Sequence, residues 1–372
     1  MRNINKLSLV EVKRFLKKKG HKILYNKEKK FNLLIDFKNF YYTSLFGLIL
    51  TSFFFILPIV DNFKKNSQEV NNNSKSNLEK LLSGQSIEVK EEAELDPSKI
   101  FQDIFEFDDI PSDTVRLSAS VIEQLFKDTK YDIDDVRKNK IVKPITISLL
   151  PKELKKIENT KKRKNLFIQI TLPLILAETN QIRIDRNKLF NILNKNNNSE
   201  REKQWLKKKF KQYGVKNNDL STLKIRMDEV PASLAIAQAA KETGWGTSRF
   251  ALEGNALFGQ WTYSGEGIKP LNTDSEETHK VMKFKILRAS IRAYYRNLNT
   301  HSSYSDFRRL RAELRDNHEK LDSLVLVDYL DKYAATGVDY TKVLKKIIEQ
   351  NSLKDFDDVK LLPTSRKLKS LI

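Results

Sequence analysis

Cysteine is absent, which excludes disulfide scaffolds, thiolate zinc sites and cysteine nucleophiles. Histidine is scarce: His21, His279, His301 and His318 are scattered without ligand spacing, so neither a catalytic metal nor a cofactor is expected. Glycine and proline number only 11 and 9 in 372 residues, which makes helix the expected main element. Acids are outnumbered by bases, 48 to 68, leaving a formal charge of +20 and a pI near 9.6. That excess asks for a polyanionic partner (nucleic acid, anionic lipid or an acidic wall polymer) and does not choose among them. What the chain has in quantity is apolar residues, 40% of the total, enough to bury a core.

Charge is also unevenly spread. Residues 1–38 carry twelve Lys or Arg against three acids, and then the charges stop. From Asn39 to Val60 no residue is charged, and the run is aromatic and aliphatic throughout. A helix needs roughly 20 apolar residues to cross the hydrocarbon core, so 39–60 reads as a transmembrane helix. The basic flank precedes it, which leaves 1–38 as a cytoplasmic tail and everything after Asp61 outside the cytoplasm. No small-x-small site follows the run, so an uncleaved anchor fits better than a signal peptide. Residues 61–100, Asn/Ser-rich and then acidic without a packing period, read as a flexible linker. This topology leaves only the tail beside nucleic acid, and the tail suits anionic headgroups better; no nucleic-acid partner is expected.

From Phe101 the pattern becomes globular. DIDDVRKNKIVKPITISLLP suggests extended segments broken at Pro144 and Pro151. Residues 152–195 read as helical, with Leu154, Ile157, Leu166, Ile170, Leu174 and Leu189 at apolar positions, and a further helix covers 201–212. KFKILRASIRAYYRNLNTH has a helical apolar period that makes Tyr294 and Tyr295 core residues. RRLRAELR and LKKKFKQY read as solvated helix faces.

The segment VPASLAIAQAAKETGWG carries the chemistry. Pro231 suits a first turn, Ala232 to Ala240 has the best helix propensity, and Gly244 and Gly246 stop it. Small side chains let neighbours pack closely, so this helix should be central. Gln238 and Glu242 fall four apart on one stripe. Glu242 then lies in the last turn, facing the negative end of the helix dipole and the apolar Trp245. Both disfavour its charged form, giving the raised pKa that a general acid near neutral pH requires.

The run AQAAKETGWGTSRFALEGNALFGQW closely resembles the core motif of glycoside hydrolase family 73, and within it the Bax-like proteins. The resemblance extends through ISLLPKEL, FIQITLPLILAE, IRAYYRNLNTHSSYSDFRRLRAELR and YAATGVDYTKVL, covering about residues 140–352. It implies a mainly α, lysozyme-like α+β domain with a small β-hairpin lobe, here preceded by one transmembrane helix. It also implies cleavage of peptidoglycan glycan strands after N-acetylglucosamine, with Glu242 as the general acid. Asn255 and Phe258, in NALFG, would line the glycan groove, the amide meeting an N-acetyl group and the ring stacking on a sugar. Trp245 counts with these binding residues. Tyr333 and Tyr340 match the family's tyrosine-bearing motif, Tyr333 the stronger of the two. The second carboxylate would come from the lobe at 263–286, where Glu266, Glu276, Glu277 and Asp274 are candidates. Glu266 is favoured because a strand would hold its geometry, with Glu276 next; its distance from Glu242 would set the stereochemistry.

The expected organisation is a basic tail (1–38), membrane helix (39–60), linker (61–100), helical part of the outer domain (101–225), glucosaminidase domain (226–352) and C-terminal tail (353–372). That places the enzyme in the cytoplasmic (inner) membrane with its catalytic domain in the periplasm or wall-facing space. A muramidase or lytic transglycosylase on the same fold, and a non-catalytic wall-binding protein, remain as alternatives.

Overall fold

A computed structural model of the chain describes residue 104 and residues 114–262, 267–269 and 280–363. The expected tail, membrane helix and linker lie outside the described residues, as do Glu266, Asp274, Glu276 and Glu277. Among the described residues no helix is long and apolar enough to cross a membrane.

Two short helices come first, α1 (Ala119–Asp128) and α2 (Ile133–Asn139), then a two-residue strand β1 (Ile141–Val142). The stretch around α2, expected to be extended, is helical for a local reason. Asp132 caps it by accepting from the N–H groups of Asp134 and Asp135, acids fill the first turn, and Arg137 and Lys138 fill the last. After a 3₁₀ turn at Lys152–Lys156, α3 (Thr160–Leu193) begins where Asn159 accepts from the N–H of Lys162. The single helix expected over 152–195 is therefore broken just before Thr160. Between Leu166 and Leu176 every residue of α3 except Gln169 is buried, so the helix passes through the core rather than over it.

Next come α4 (Glu200–Gln212), opened by a Ser199/Glu202 capping box, and α5 (Leu220–Arg226). The Ala-rich segment forms α6 (Ala232–Thr243), with every residue from Ala232 to Ala240 buried. Pro231 offers no side-chain cap, and the missing acceptor arrives from afar. Asp357 takes the Ser233 N–H at Oδ1 and the Ser233 hydroxyl at Oδ2, both at 2.8 Å. An N-terminal cap contributes about 1 kcal/mol.

Beyond α6 lie α7 (Arg249–Gly254) and three short strands, β2 (Trp261–Thr262), β3 (Gly267–Ile268) and β4 (Lys280–Met282). They form an antiparallel sheet in the order β2-β4-β3, with Trp261 opposite Val281 and Gly267 opposite Met282. Then follow α8 (Leu287–Thr300), α9 (Ser305–Asp316), α10 (Ser323–Leu326), α11 (Val338–Gln350) and β5 (Lys360–Leu361). Helices α3 and α11 pack on α6. The described chain is thus mainly helical with two small sheets, consistent with a lysozyme-like α+β domain.

Three further expectations need correcting. Residues 353–361 are part of the fold rather than of a tail: Leu353, Phe356 and Val359 are buried, and β5 pairs in parallel with β1, Ile141 opposite Lys360. The run RRLRAELR is no solvated face. Arg308 and Arg311 are buried and donate to main-chain carbonyls, Arg308 to Leu298 and His301, Arg311 to Asp228, Glu229 and Ile225. A single hydrophobic cluster runs from Ala119 to Val359, crossing the boundary drawn at 225.

Candidate active site

Helix α6 stops abruptly because three successive residues, Gly244, Trp245 and Gly246, take positive φ of 57°, 61° and 80°. At Gly246 a Cβ would lie 2.6 Å from Leu154 and 2.8 Å from Phe167, so only glycine fits. Trp245 bears the strain of the left-handed region, and its ring packs edge-on against Phe167 with the Lys164 ammonium 4.8 Å over its face.

Glu242 is partly buried in the last turn of α6. Its Oε1 accepts a hydrogen bond of 2.8 Å from the Tyr340 hydroxyl. That hydroxyl accepts from the Gln238 amide at 3.1 Å, and the Gln238 oxygen accepts from the Tyr294 hydroxyl at 2.7 Å. Tyr333 stacks on Tyr340 with centroids 5.6 Å apart and planes at 6°, and Tyr304 lies 5.9 Å beyond Tyr333. Desolvation raises the pKa of Glu242 above the ordinary glutamate value, while the Tyr340 bond and the Lys241 charge pull the other way. Burial likewise raises all four phenols, Tyr304 to about 12, so they stay neutral and act as hydrogen-bond donors.

The NALFG segment is a scaffold rather than a set of ligands. Asn255 is 4% exposed and in the left-handed region. Its amide donates to the carbonyls of Phe284 and Lys285, tying the end of α7 to the approach to α8. Phe258 is 1% exposed, its ring stacked on Tyr294 at 3.9 Å, which leaves no face for a sugar. Its carbonyl accepts from the Tyr333 hydroxyl at 2.9 Å. These bonds set Gly259 directly against the acid: with φ of 64°, a Cβ there would sit 3.3 Å from Glu242 Oε2.

The structure thus gathers Glu242, Tyr333 and Tyr340 at one place, buries Asn255 and Phe258, and sets the partly buried Trp245 against Phe167. Glu266 and Glu276 lie outside the described residues, Glu266 next to a strand that begins at Gly267. Sequence reasoning missed Gln238, Tyr294, Tyr304 and Gly259 as site residues. One signal existed for Gln238: it is a polar residue in an otherwise apolar, Ala-rich run, four positions from Glu242. Nothing comparable marks Gly259, whose role depends on how the preceding loop folds back.

Comparison with known proteins identifies the family. Residues 220–353 match the glucosaminidase family, described as mannosyl-glycoprotein endo-beta-N-acetylglucosaminidase. "Protein bax" of Escherichia coli (strain K12) is 31% identical over 210 residues, which is 55% of this chain and 75% of that protein. No solved structure matches. The matched region contains Glu242 and its tyrosine wall, and the chain belongs to the Bax-like proteins of the glucosaminidase family.

Proposed function

We propose that the chain is a peptidoglycan hydrolase that cleaves the glycan strand after N-acetylglucosamine, with Glu242 as general acid. Family membership supports a glycosidase acting on a glycan. The observation that carries the assignment of the acid is the environment of Glu242: burial raises its pKa, and among the described residues no cation is bonded to it. Such a carboxyl keeps its proton to higher pH than an ordinary glutamate and can release it to a leaving oxygen. In the reaction that proton passes to the glycosidic oxygen as the C1–O bond breaks. Water adds to C1, and the proton it sheds restores the acid. Glu266 or Glu276 would supply the second carboxylate from the lobe. Residues 39–60 would anchor the enzyme in the cytoplasmic membrane and present it to the wall, where its positive charge suits an anionic polymer.

The test is mass spectrometry of fragments released from purified peptidoglycan by the full-length chain, with Glu242→Gln alongside. Fragments with N-acetylglucosamine at the new reducing end, lost in the variant, are expected. Anhydro-muramyl ends or reducing muramic ends would replace the proposed bond specificity with a transglycosylase or muramidase. Equal release by Glu242→Gln would remove Glu242 from the role.

A further inference from the structure

The chain Tyr294–Gln238–Tyr340–Glu242 has a direction. Tyr294 is 0% exposed and its hydroxyl donates to the Gln238 oxygen; no other hydrogen-bond partner for it exists among the described residues. The orientation of a buried amide follows from its hydrogen-bond partners. Turned the other way, the amide would present its NH₂ to Tyr294, and the Tyr294 proton would have no acceptor in a fully buried place. Gln238 therefore points its nitrogen at Tyr340. The Tyr340 oxygen, already accepting from that nitrogen, has its own proton free for one acceptor, Glu242 Oε1.

We propose that Gln238 is a positioning residue that decides which oxygen of Glu242 carries the catalytic proton. Oε1 is committed to accepting from Tyr340, so the acidic hydrogen resides on Oε2. That oxygen lies against Gly259, which is itself partly exposed, and has no hydrogen-bond partner among the described residues. The relay thus turns the acid outward. With Gln238 replaced by a group that cannot donate, the Tyr340 hydroxyl is free to rotate and accept. The proton of Glu242 can then settle on Oε1, facing into the protein. The inference rests on the reading of Glu242 as general acid, and one of its readouts does not need catalysis.

Among the described residues, the other titratable or charged groups around Glu242 are Lys241 on α6 and the phenols Tyr304, Tyr333 and Tyr340. Of these, a change at position 238 acts directly on Tyr340, whose hydroxyl accepts from the Gln238 amide. The variants are Gln238→Met, similar in size without donor or acceptor, and Gln238→Glu, whose neutral carboxyl offers one acceptor and one donor as the amide does. Gln238 is 0% exposed, so a carboxyl there stays neutral well above the ordinary range. In the full-length protein, kcat of Gln238→Met should fall by about ten- to a hundredfold at every pH, a part of what a general acid supplies, with KM unchanged. Gln238→Glu should keep near-native kcat at low pH and lose it as the introduced carboxyl ionises, moving the alkaline limb to lower pH. A residue that merely fills space would give no such pH-dependent rescue.

The second readout is the ¹³C carboxyl titration of Glu242, assigned with Glu242→Gln. Its midpoint should move up in Gln238→Met, because the donor to the charged form is no longer held in place. A wild-type kcat profile and midpoint in folded Gln238→Met would overturn the proposal. So would equal loss at every pH in Gln238→Met and Gln238→Glu. If Gln238→Met does not fold, the profile of Gln238→Glu decides alone. A wild-type chain that releases no glycan fragment, yet shows the shifted midpoint, would sink the proposed reaction and leave the relay standing.

Discussion

Two acids bracket the Ala-rich helix, and their surroundings give them opposite properties. Asp228 lies just before α6, almost completely buried, and burial alone would raise its pKa. The guanidinium groups of Arg311, Arg186 and Arg315 outweigh that and hold it below the ordinary aspartate value. Arg315 reaches Asp228 Oδ1 at 3.2 Å and Glu229 at 2.6 Å, and Arg186 stands 3.7 Å from Oδ2. Glu242, at the other end of the helix, has one neutral phenol for a partner and a raised pKa. Burial supplies the tendency and the partners decide the outcome. Cations turn a buried acid into a fixed anion that ties helices together; a phenol leaves it able to hold a proton and give it up.

That contrast can be broken from either end. The largest expected effect is Glu242→Gln, with activity on peptidoglycan falling by about 10²- to 10⁴-fold and no change in melting temperature. Activity assays beside thermal denaturation check both halves. Asp228→Ala should do the reverse, costing about 3–5 kcal/mol because Arg311 and its neighbours lose their counter-charge while buried. Denaturant titration reads this, and kcat per folded molecule should change little. The sign with pH follows from the lowered pKa. Stability from Asp228 is present above the unfolded aspartate value and lost as pH falls through the lower folded one, so Asp228→Asn should flatten the acid limb of stability. Gly259→Ala places a Cβ 3.3 Å from Oε2 at a φ of 64°, and kcat should fall by about tenfold with a stability loss of about 1–2 kcal/mol. Tyr340→Phe takes away the donor that fills Glu242 Oε1, so kcat should fall by about tenfold with little loss of stability. It removes the bond that favours the charged form, so the pKa of Glu242 rises further and the alkaline limb of activity moves to higher pH. An unmoved limb would mean that Tyr340 does not act on Glu242.

The sequence made α6 legible because all its signals agree: proline before it, alanine through it, glycine after it, and a polar stripe of Gln238 and Glu242. Short α2 was harder, since its caps and end charges compete with a β-branched stretch just after it. Asn255 and Phe258 show a different limit. An amide and a ring suit a sugar groove as well as a buried joint, and only the fold of 284–294 around them makes the joint. Arg311 shows a third. In sequence it belongs to a run of charge, and the carbonyls that receive it lie in α5 and the turn before α6, far away along the chain. Tertiary partners of that kind leave no mark in local pattern.

The parallel pairing of β1 with β5 has a consequence for how the protein comes to be folded. Arg137 bonds the Ser352 carbonyl and the Asp355 carboxylate, 215 and 218 positions along the chain, beside that pairing. Contacts of such separation form late, since the loop must close before they can stabilise anything. During synthesis, Val142 and the start of α3 would wait with their apolar surfaces uncovered until residues 352–361 have left the ribosome. The Asp357 cap on α6 belongs to the same late segment. The helix that carries the acid would therefore be completed last, by the residues that close the fold.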